Sequence, residues 1–272
     1  MNNSNLQSNQ ASHPHVAAQG IFWTISDVLA MTKRNMLQYI RLPQLLIFST
    51  IQPVMFLLLF TYVFGGAIKT NTSAYINYLI PGIVVQTVVF GSMQTGIGLA
   101  ADLQKGLIDR FRSLPMSRAA VLAGRTISDT LRNVFTVTLM ILVGLIIGFR
   151  FHQGILQALG ALGLTLLFGF AFSWISAAIG IAVKNIETAQ VAGFIWVFPL
   201  VFASSIFVPI ASMPTWLQAF AKISPITVTV NAVRGLVLGT PATPDAWYSL
   251  LWIAGILLVF GQIAVYLYRK SD

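Results

Sequence analysis

Few residues of this chain have side chains that could do chemistry, and Asp129 and Arg132 are the first pair to consider. A carboxylate and a guanidinium three positions apart share one face of a helix, where they can form an ion pair. Near a membrane such a pair can anchor a helix end at the surface, with the arginine reaching the lipid headgroups. It can also act as a gate latch that breaks and reforms. The first is the commoner use, because polar helix ends are ordinary and gates are rare.

No motif in the sequence predicts catalysis. A phosphate-binding loop needs a Gly-Lys dipeptide, and the sequence contains none. It has no cysteine, and His13 and His15 are too few to complete a zinc coordination shell. The protease motif H-E-x-x-H and the esterase motif G-x-S-x-G are also missing. We therefore expect no enzymatic activity, cofactor or metal in this chain, so a driving reaction must come from a partner.

The elements that position these residues are membrane helices. Hydrophobic residues make up 56% of the 272 positions and charged residues only 8%, whereas soluble domains carry about 25% charged residues. Such a composition excludes a soluble enzyme, a disordered chain and a nucleic-acid-binding domain. Six uncharged runs are long enough, or nearly so, to cross about 30 Å of hydrocarbon. They lie at 42–68, 70–101, 133–149, 151–183, 188–221 and 246–268.

These runs predict an all-α membrane protein with six transmembrane helices. The predicted spans are about 44–64, 76–100, 127–149, 154–183, 188–210 and 246–268, within a transmembrane domain over 44–268. Residues 1–20 are polar and predict a disordered cytoplasmic tail. Twelve of the sixteen Lys and Arg residues fall on the side of the two termini, so both termini are expected in the cytoplasm. The same distribution explains the net charge of +9 without a nucleic-acid partner.

Three segments outside the spans predict structure of their own. Residues 21–41 have an apolar stripe beside charged residues, which is typical of a helix lying in the membrane surface. An amphipathic segment over 102–125, ended by Leu114-Pro115, fits either a surface anchor or a rigid knob gripped by a cytoplasmic partner. The apolar run 226–238 is too short to span and predicts an external re-entrant hairpin between helices 5 and 6. Its Arg234 fits either an interfacial arginine or a residue that holds an external gate closed.

Two stretches share their motifs with a known family. In 105–132 (KGLIDRFRSLPMSRAAVLAGRTISDTLR), a glycine and a basic stretch precede a Leu-Pro, a Ser-Arg and a Gly-Arg pair. The second stretch contains Asn185, Glu187, Pro199, Phe207-Val208-Pro209, Met213-Pro214, Trp216-Leu217, Ser224-Pro225 and Arg234-Gly235. In this order the motifs resemble those of ABC-2 type transporter permeases, and most closely the daunorubicin-resistance-like drug-efflux subunits. The resemblance covers about 20–270.

The resemblance implies a permease half of an ATP-binding-cassette exporter. Two six-span halves, identical or different, would face each other in the bilayer, and two separate cytoplasmic ATPase subunits would bind ATP and Mg. Residues 21–41 would be the connecting helix, with Lys33, Arg34 and Arg41. The coupling helix would contact the ATPase through Lys105, Gly106, Ile108, Asp109, Arg110, Phe111, Leu114 and Pro115. The gate and family-motif positions would be Asp129, Arg132, Asn185, Glu187, Pro209, Pro225 and Arg234.

The expected cargo is a hydrophobic or amphiphilic compound, such as a drug, an antibiotic or a lipid, exported across the cytoplasmic membrane. The spans are rich in apolar and aromatic residues and poor in charge, which favours such cargo over ions and sugars. Export of a lipid-linked polysaccharide or envelope precursor is the alternative within transport. A membrane scaffold or membrane-embedded enzyme is the alternative outside transport. An enzyme would need ionisable groups converging inside the bundle, whereas the sequence places its acidic residues at the predicted span ends.

Overall fold

The computed structural model describes residues 21–41, 43–68, 75–106, 118–239 and 243–270, and none of these residues forms a β-strand. The helices are α1 Ile21–Arg41, α2 Pro43–Leu59, α3 Tyr75–Gln104, α4 Arg118–Ile147, α5 Ile155–Val183, α6 Ile186–Phe202, α7 Thr215–Ile223, α8 Pro225–Leu238 and α9 Thr243–Lys270. A π-helical turn, Phe60–Phe64, continues α2, and a 3₁₀ turn, Ile210–Ser212, precedes α7.

Long apolar helices dominate the described chain, which confirms the prediction of an all-α membrane protein. Four stretches have the length and composition to cross a membrane: Tyr75–Gln104, Val121–Ile147, Ile155–Val183 and Pro244–Lys270. Two further predicted spans correspond to the shorter apolar stretches Ser49–Phe64 and Ile186–Phe202. The count of six spans therefore stays a prediction.

α3 is the central helix of the bundle. Every residue from Tyr75 to Val89 is buried, and α3 packs most extensively on α5, with further contacts to α4, α6 and α8. We call the end of the bundle where α1 packs on α4 the α1 end, and the end that carries α7 and α8 the far end. α3 runs from the far end, where Tyr75 and Tyr78 contact the segment after α6, to the α1 end, where Asp102 meets Arg34.

Glycines allow α3 and α5 to touch backbone to backbone. A Cβ on Gly180 would overlap the carbonyl of Gly96, and one on Gly96 would overlap the carbonyl of Ser176. Gly160 and Gly163, also on α5, have open space where a Cβ would stand. Small residues therefore permit close helix packing at the α1 end of α5, while a Cβ on either of the two glycines nearer its start would meet none of the described residues.

We expect Gly180→Val to destabilise the bundle strongly, by about 3 kcal/mol or more, because no side chain can move aside where the new methyl groups meet backbone. The thermal unfolding midpoint of the detergent-purified chain measures the loss. Gly163→Val makes the same change in the same helix at an open position and should leave the midpoint nearly unchanged. Equal losses in the two variants would contradict the close approach of α3 and α5.

Two helix ends differ from the predicted span ends by eight residues or more. α4 begins at Arg118, nine residues before the predicted span, and α6 ends at Phe202, eight residues before the predicted end. After α6 the chain leaves the helix because side chains bind its backbone: the Ser205 amide donates to Thr227 Oγ1 at 3.2 Å. The earlier start of α4 moves Asp129 from a helix end to about three turns inside the helix.

Candidate functional site

Asp129 is the centre of a buried charge cluster at the α1 end. Its side chain is 0% exposed, and Oδ1 accepts a hydrogen bond from the Tyr39 hydroxyl of α1. Oδ2 accepts from Thr95 Oγ1 of α3 at 2.7 Å and from Arg125 Nε of α4 at 3.3 Å. One carboxylate thus binds groups from three helices, which fixes α1 against the bundle.

α1 presents the face that this arrangement needs. Met31, Asn35 and Tyr39 recur at helical spacing and are buried, while Ile25 and Leu29 stay exposed and available to lipid. Gly124 of α4 lets Met31 lie against the backbone, because a Cβ there would meet the Met31 side chain. Burial, and next the neighbouring Asp129 carboxylate, raise the pKa of Tyr39 to about 12. Tyr39 therefore keeps its proton, and its role as a donor, throughout the physiological range.

The cluster continues toward the surface through Arg125. Arg125 Nη1 lies 3.9 Å from Asp102 Oδ2, and Arg34 Nη2 of α1 lies 3.8 Å from Asp102 Oδ1. Gly98 of α3 leaves room for the Arg125 guanidinium, which a Cβ at that position would meet. These two outer ion pairs are longer and less buried than the contacts of Asp129, so we expect them to contribute less stability.

Arg132 lies inside the cluster and is 4% exposed. Its Nη2 donates to the Gly91 carbonyl at 2.7 Å and to Asn133 Oδ1 at 3.2 Å, and its guanidinium carbon is 5.6 Å from the centre of the Tyr39 ring. Among the described residues, the ion-pair partner of Asp129 is Arg125 and not Arg132. The interpretation of Asp129 and Arg132 as a surface pair is wrong, because both side chains are buried. A latch remains a prediction.

The expectation that acidic residues lie only at span ends is also wrong for Asp129. It was based on runs without charge, and these runs stop wherever a charged residue occurs. Paired charges can lie inside a helix bundle when their hydrogen bonds are satisfied there. Within the described ranges, no three His, Cys, Asp or Glu side chains come together as metal ligands would.

A second polar centre lies at the far end, around Arg234 of α8. The guanidinium donates to the Tyr78 carbonyl through Nε and Nη2 at 3.2 and 3.1 Å, and Nη2 also donates to the Ser205 carbonyl at 3.0 Å. The guanidinium carbon of Arg234, Cζ, lies 3.7 Å from the centre of the Tyr78 ring. Asn231 Oδ1 accepts from Nη1 at 3.1 Å. We call this set, Arg234 with Tyr78, Ser205 and Asn231, the outer clamp.

The outer clamp joins α8 to the start of α3 and to the segment after α6. The Tyr78 hydroxyl donates to the Ser205 carbonyl at 3.0 Å, and the Tyr75 hydroxyl donates to the Phe207 carbonyl at 2.8 Å. Arg234 is 8% exposed, which contradicts the interpretation of an arginine reaching the headgroups from an interface. Its role in holding an external gate closed stays a prediction.

Phenylalanines from α2, α6 and the segment after α6 stack on the far-end side. The Phe60 and Phe207 ring centres are 4.3 Å apart, those of Phe202 and Phe207 5.3 Å, and those of Phe56 and Phe202 6.1 Å. Phe198 extends the stack, 5.0 Å from Phe202. We call these five residues the aromatic seal, because their rings form one continuous stack that joins α2, α6 and the segment after α6.

The remaining predicted positions divide between the two ends of the bundle. Lys105 and Gly106 form the turn after α3, where Gly106 has a φ of 63° that favours glycine. Asn185 caps α6 by accepting from the Thr188 amide at 3.0 Å, and Glu187 is exposed in the first turn of that helix. Lys33 and Arg41 are exposed on α1, Pro209 precedes the 3₁₀ turn and Pro225 begins α8. The positions Ile108, Asp109, Arg110, Phe111, Leu114 and Pro115 lie outside the described residues.

Several residues of these two centres were not predicted from the sequence. Arg125 could have been found, because it precedes Asp129 by four positions and so shares its helix face. Tyr39 and Thr95 give no such signal, since they reach Asp129 only when three helices pack together. The same is true of Tyr78, Ser205 and Asn231 in the outer clamp.

Comparison with known proteins identifies the family. The model of the ABC-2 type transporter family matches residues 26–238. The chain belongs to this family. The match begins in α1 and ends with the last residue of α8, so it includes both the charge cluster and the outer clamp. The chain is a multi-pass membrane protein and a permease subunit, which is a transport component and not a catalytic one.

Two relatives agree with this assignment along most of the chain. The chain is 38% identical to a daunorubicin resistance ABC transporter permease protein of Streptomyces coeruleorubidus, over 91% of this chain and 88% of the relative. It is 27% identical to a doxorubicin resistance ABC transporter permease protein of Mycobacterium tuberculosis (strain ATCC 25618 / H37Rv), over 72% of this chain and 70% of the relative.

Proposed function

We propose that this permease exports hydrophobic or amphiphilic compounds, such as drugs, antibiotics or lipids, across the cytoplasmic membrane, driven by a separate ATPase subunit. The observation on which this proposal depends is the buried cluster that fixes α1 to α3 and α4 through Asp129. A helix held in this way moves as one body with the bundle, as the coupling of ATP hydrolysis to transport requires. The relative named for daunorubicin resistance supports the class of cargo.

In the proposed coupling, residues 105–116 are the coupling helix and residues 21–41 are the connecting helix. α3 ends at Gln104 and α4 begins at Arg118, so the coupling segment joins two helices that Asp129 also ties together. A push on this segment by the ATPase would therefore move α3, α4 and α1 jointly. ATP and Mg would be bound by the ATPase, and this chain would hold no cofactor.

The proposed topology has six spans and both termini in the cytoplasm. The spans would be α2 with its π-helical turn, α3, α4, α5, α6 and α9, which alternate in direction between the α1 end and the far end. α7 and α8 would form the external re-entrant hairpin, held by the outer clamp. The excess of Lys and Arg on the side of the termini supports this orientation.

The proposed assembly contains two permease halves, identical or different, and two ATPase subunits. One half offers only part of a route through the bilayer, so cargo would pass between the two halves. Export of a lipid-linked polysaccharide or envelope precursor would use the same assembly with a different cargo.

Truncating the apolar contacts of the coupling helix tests the proposal. We expect Phe111→Ala and Ile108→Ala to reduce the ATPase that co-purifies with the permease, and transport with it, by about tenfold. The physical reason is the loss of buried apolar area at a small interface, where a few residues dominate the binding energy. Transport is measured in inverted vesicles with a panel of fluorescent hydrophobic compounds that includes daunorubicin.

Ile146→Ala is the matched control, since Ile146 is a highly exposed apolar residue of α4 near the far end. It should leave both measurements unchanged. If the Phe111 and Ile108 variants kept full transport and full ATPase coupling, the assignment of the coupling helix would be disproved. If no ATPase co-purified with the unaltered chain, the proposed function itself would be disproved.

A further inference from the structure

A small polar cavity lies between α2, α3, α4 and α6, on the α1-end side of the aromatic seal. Its volume is about 100 Å³. The polar groups of its wall come from all four helices and are mostly amides beside one guanidinium. The six that matter here are Gln52, Gln86, Gln94, Arg132, Asn133 and Gln190. Phe90 and Phe194 add aromatic surface to the same wall.

Among the residues that the structure describes, the charge cluster next to the cavity contains one more positive than negative side chain. It contains the three arginines Arg34, Arg125 and Arg132 and the two aspartates Asp102 and Asp129. Arg125 and Arg34 contact the two carboxylates directly, and Arg132 is the arginine that lines the cavity. None of the described residues that line the cavity is an Asp or a Glu. The cavity is therefore a positive, hydrogen-bonding site that opens at the edge of an apolar helix bundle, where Gln94 and Gln190 are exposed.

Arg132 has donor groups that the described part of the chain does not use. Both of its hydrogen bonds there are made by Nη2, to Gly91 and Asn133. Nε and Nη1 are left with N–H groups on opposite edges of the guanidinium, and a phosphate or a carboxylate can accept a charge-assisted hydrogen bond from either of them. A guanidinium at this depth is costly unless it is used, so its place on a cavity wall indicates a function.

Gln86 is a second, independent indication of a ligand. Its side chain is 1% exposed, and Oε1 finds no hydrogen-bond partner among the residues that the structure describes. Buried polar atoms nearly always have a partner. Since rotation of the amide exchanges its oxygen and nitrogen, Gln86 can either accept from a ligand or donate to it.

We propose that this cavity binds the anionic headgroup, a phosphate or a carboxylate, of an amphiphile. The volume suits a headgroup, whereas a whole drug-sized ligand fills about 300 Å³ or more. The apolar body of the amphiphile therefore extends out of the cavity, past Phe90 and Phe194 of its wall. The amphiphile is either a phospholipid of the bilayer or the cargo, and only the second case depends on the proposed export function.

Binding of dodecyl phosphate to the purified full-length chain tests this proposal. The chain is placed in nanodiscs of phosphatidylcholine, and retention of radiolabelled dodecyl phosphate is measured. We expect saturable binding that unlabelled dodecyl phosphate displaces and dodecyltrimethylammonium, with the same tail and the opposite charge, does not. Equal binding of the two compounds would overturn the proposal.

Two variants identify the site. Asn133→Asp places a carboxylate beside the Arg132 guanidinium with almost no change in shape, and it should weaken dodecyl phosphate binding at least tenfold. Arg132→Gln removes the positive charge and should also weaken dodecyl phosphate binding at least tenfold. If Arg132→Gln fails to fold, the binding measured for Asn133→Asp tests the site by itself. Arg150→Gln alters an exposed arginine outside the cavity and should change binding by less than twofold. Unchanged binding in Asn133→Asp would overturn the proposal.

Phosphatidylglycerol distinguishes the two sources of the headgroup. If adding it to the nanodiscs displaces dodecyl phosphate, the ligand is a membrane phospholipid. If it does not, and other single-chain anions do, the ligand is a cargo molecule. Both results support the headgroup site. The measurement needs no ATPase, so a cavity that binds no anion in a chain that still co-purifies its ATPase disproves this inference alone.

Discussion

Replacing Asp129 by Asn is expected to cause one of the largest losses of stability in this protein, about 3–5 kcal/mol. The carboxylate is fully buried and accepts from Tyr39, Thr95 and Arg125. The amide would remove the negative charge that Arg125 and Arg132 both face. An uncompensated buried charge costs much more than the net energy of the pair that it replaces.

The thermal unfolding midpoint of the purified permease measures this loss, and co-purification of the ATPase measures its effect on coupling. Asp102→Asn is the matched control. Asp102 meets Arg125 and Arg34 at 3.9 and 3.8 Å with part of its side chain exposed, so solvent screens its charge and the loss should be about 1 kcal/mol or less. Similar losses in the two variants would show that the cluster is not centred on Asp129.

The helices themselves could be predicted from the sequence because their causes are local. An uncharged run long enough to cross the membrane is visible without any tertiary contact, and the ends of α1 at Ile21 and Arg41 coincide with the amphipathic segment. These patterns predicted the helical class, the helix over 21–41 and the short apolar element that became α8.

The charge cluster could not be predicted because the energy of a buried charge depends on partners far away in the sequence. The uncharged run 133–149 stops at Arg132, so the span drawn around it, 127–149, places Asp129 and Arg132 at its end. In the structure Tyr39, 90 residues earlier, and Thr95, 34 residues earlier, satisfy the carboxylate, so the helix continues past it. The free-energy cost of burying the Asp129 carboxylate is thus offset by contacts that form only when the helices pack together.

The glycines give a second example of the same limit. Gly96 and Gly163 are both small residues on membrane helices, and by residue type alone either could let helices approach closely. Only Gly96 lies where another backbone arrives. Residue type tells which positions can tolerate close contact, but the packing of α3 on α5 decides which of them have it.

Replacing Arg234 by Met should open the outer clamp and cost about 3 kcal/mol. The methionine keeps much of the apolar stem but removes the charged donor that the carbonyls of Tyr78 and Ser205 share, and a hydrogen bond to a charged group contributes about 1.5–3 kcal/mol. Ser205 lies in the segment after α6, which has left the helix and depends on side-chain hydrogen bonds. We therefore expect faster amide hydrogen exchange over 203–209 together with a lower unfolding midpoint.

Arg150→Met is the control, because Arg150 also donates to two carbonyls, those of Leu145 and Phe149 at 3.0 Å, but is exposed. Water can replace its hydrogen bonds, so stability and exchange should hardly change. Arg234→Lys keeps the charge but loses the planar fork that reaches two carbonyls at once, and should fall between the two. If Arg234→Met exchanged no faster over 203–209 than Arg150→Met, the clamp would not hold this segment, and an external gate at Arg234 would lose its physical basis.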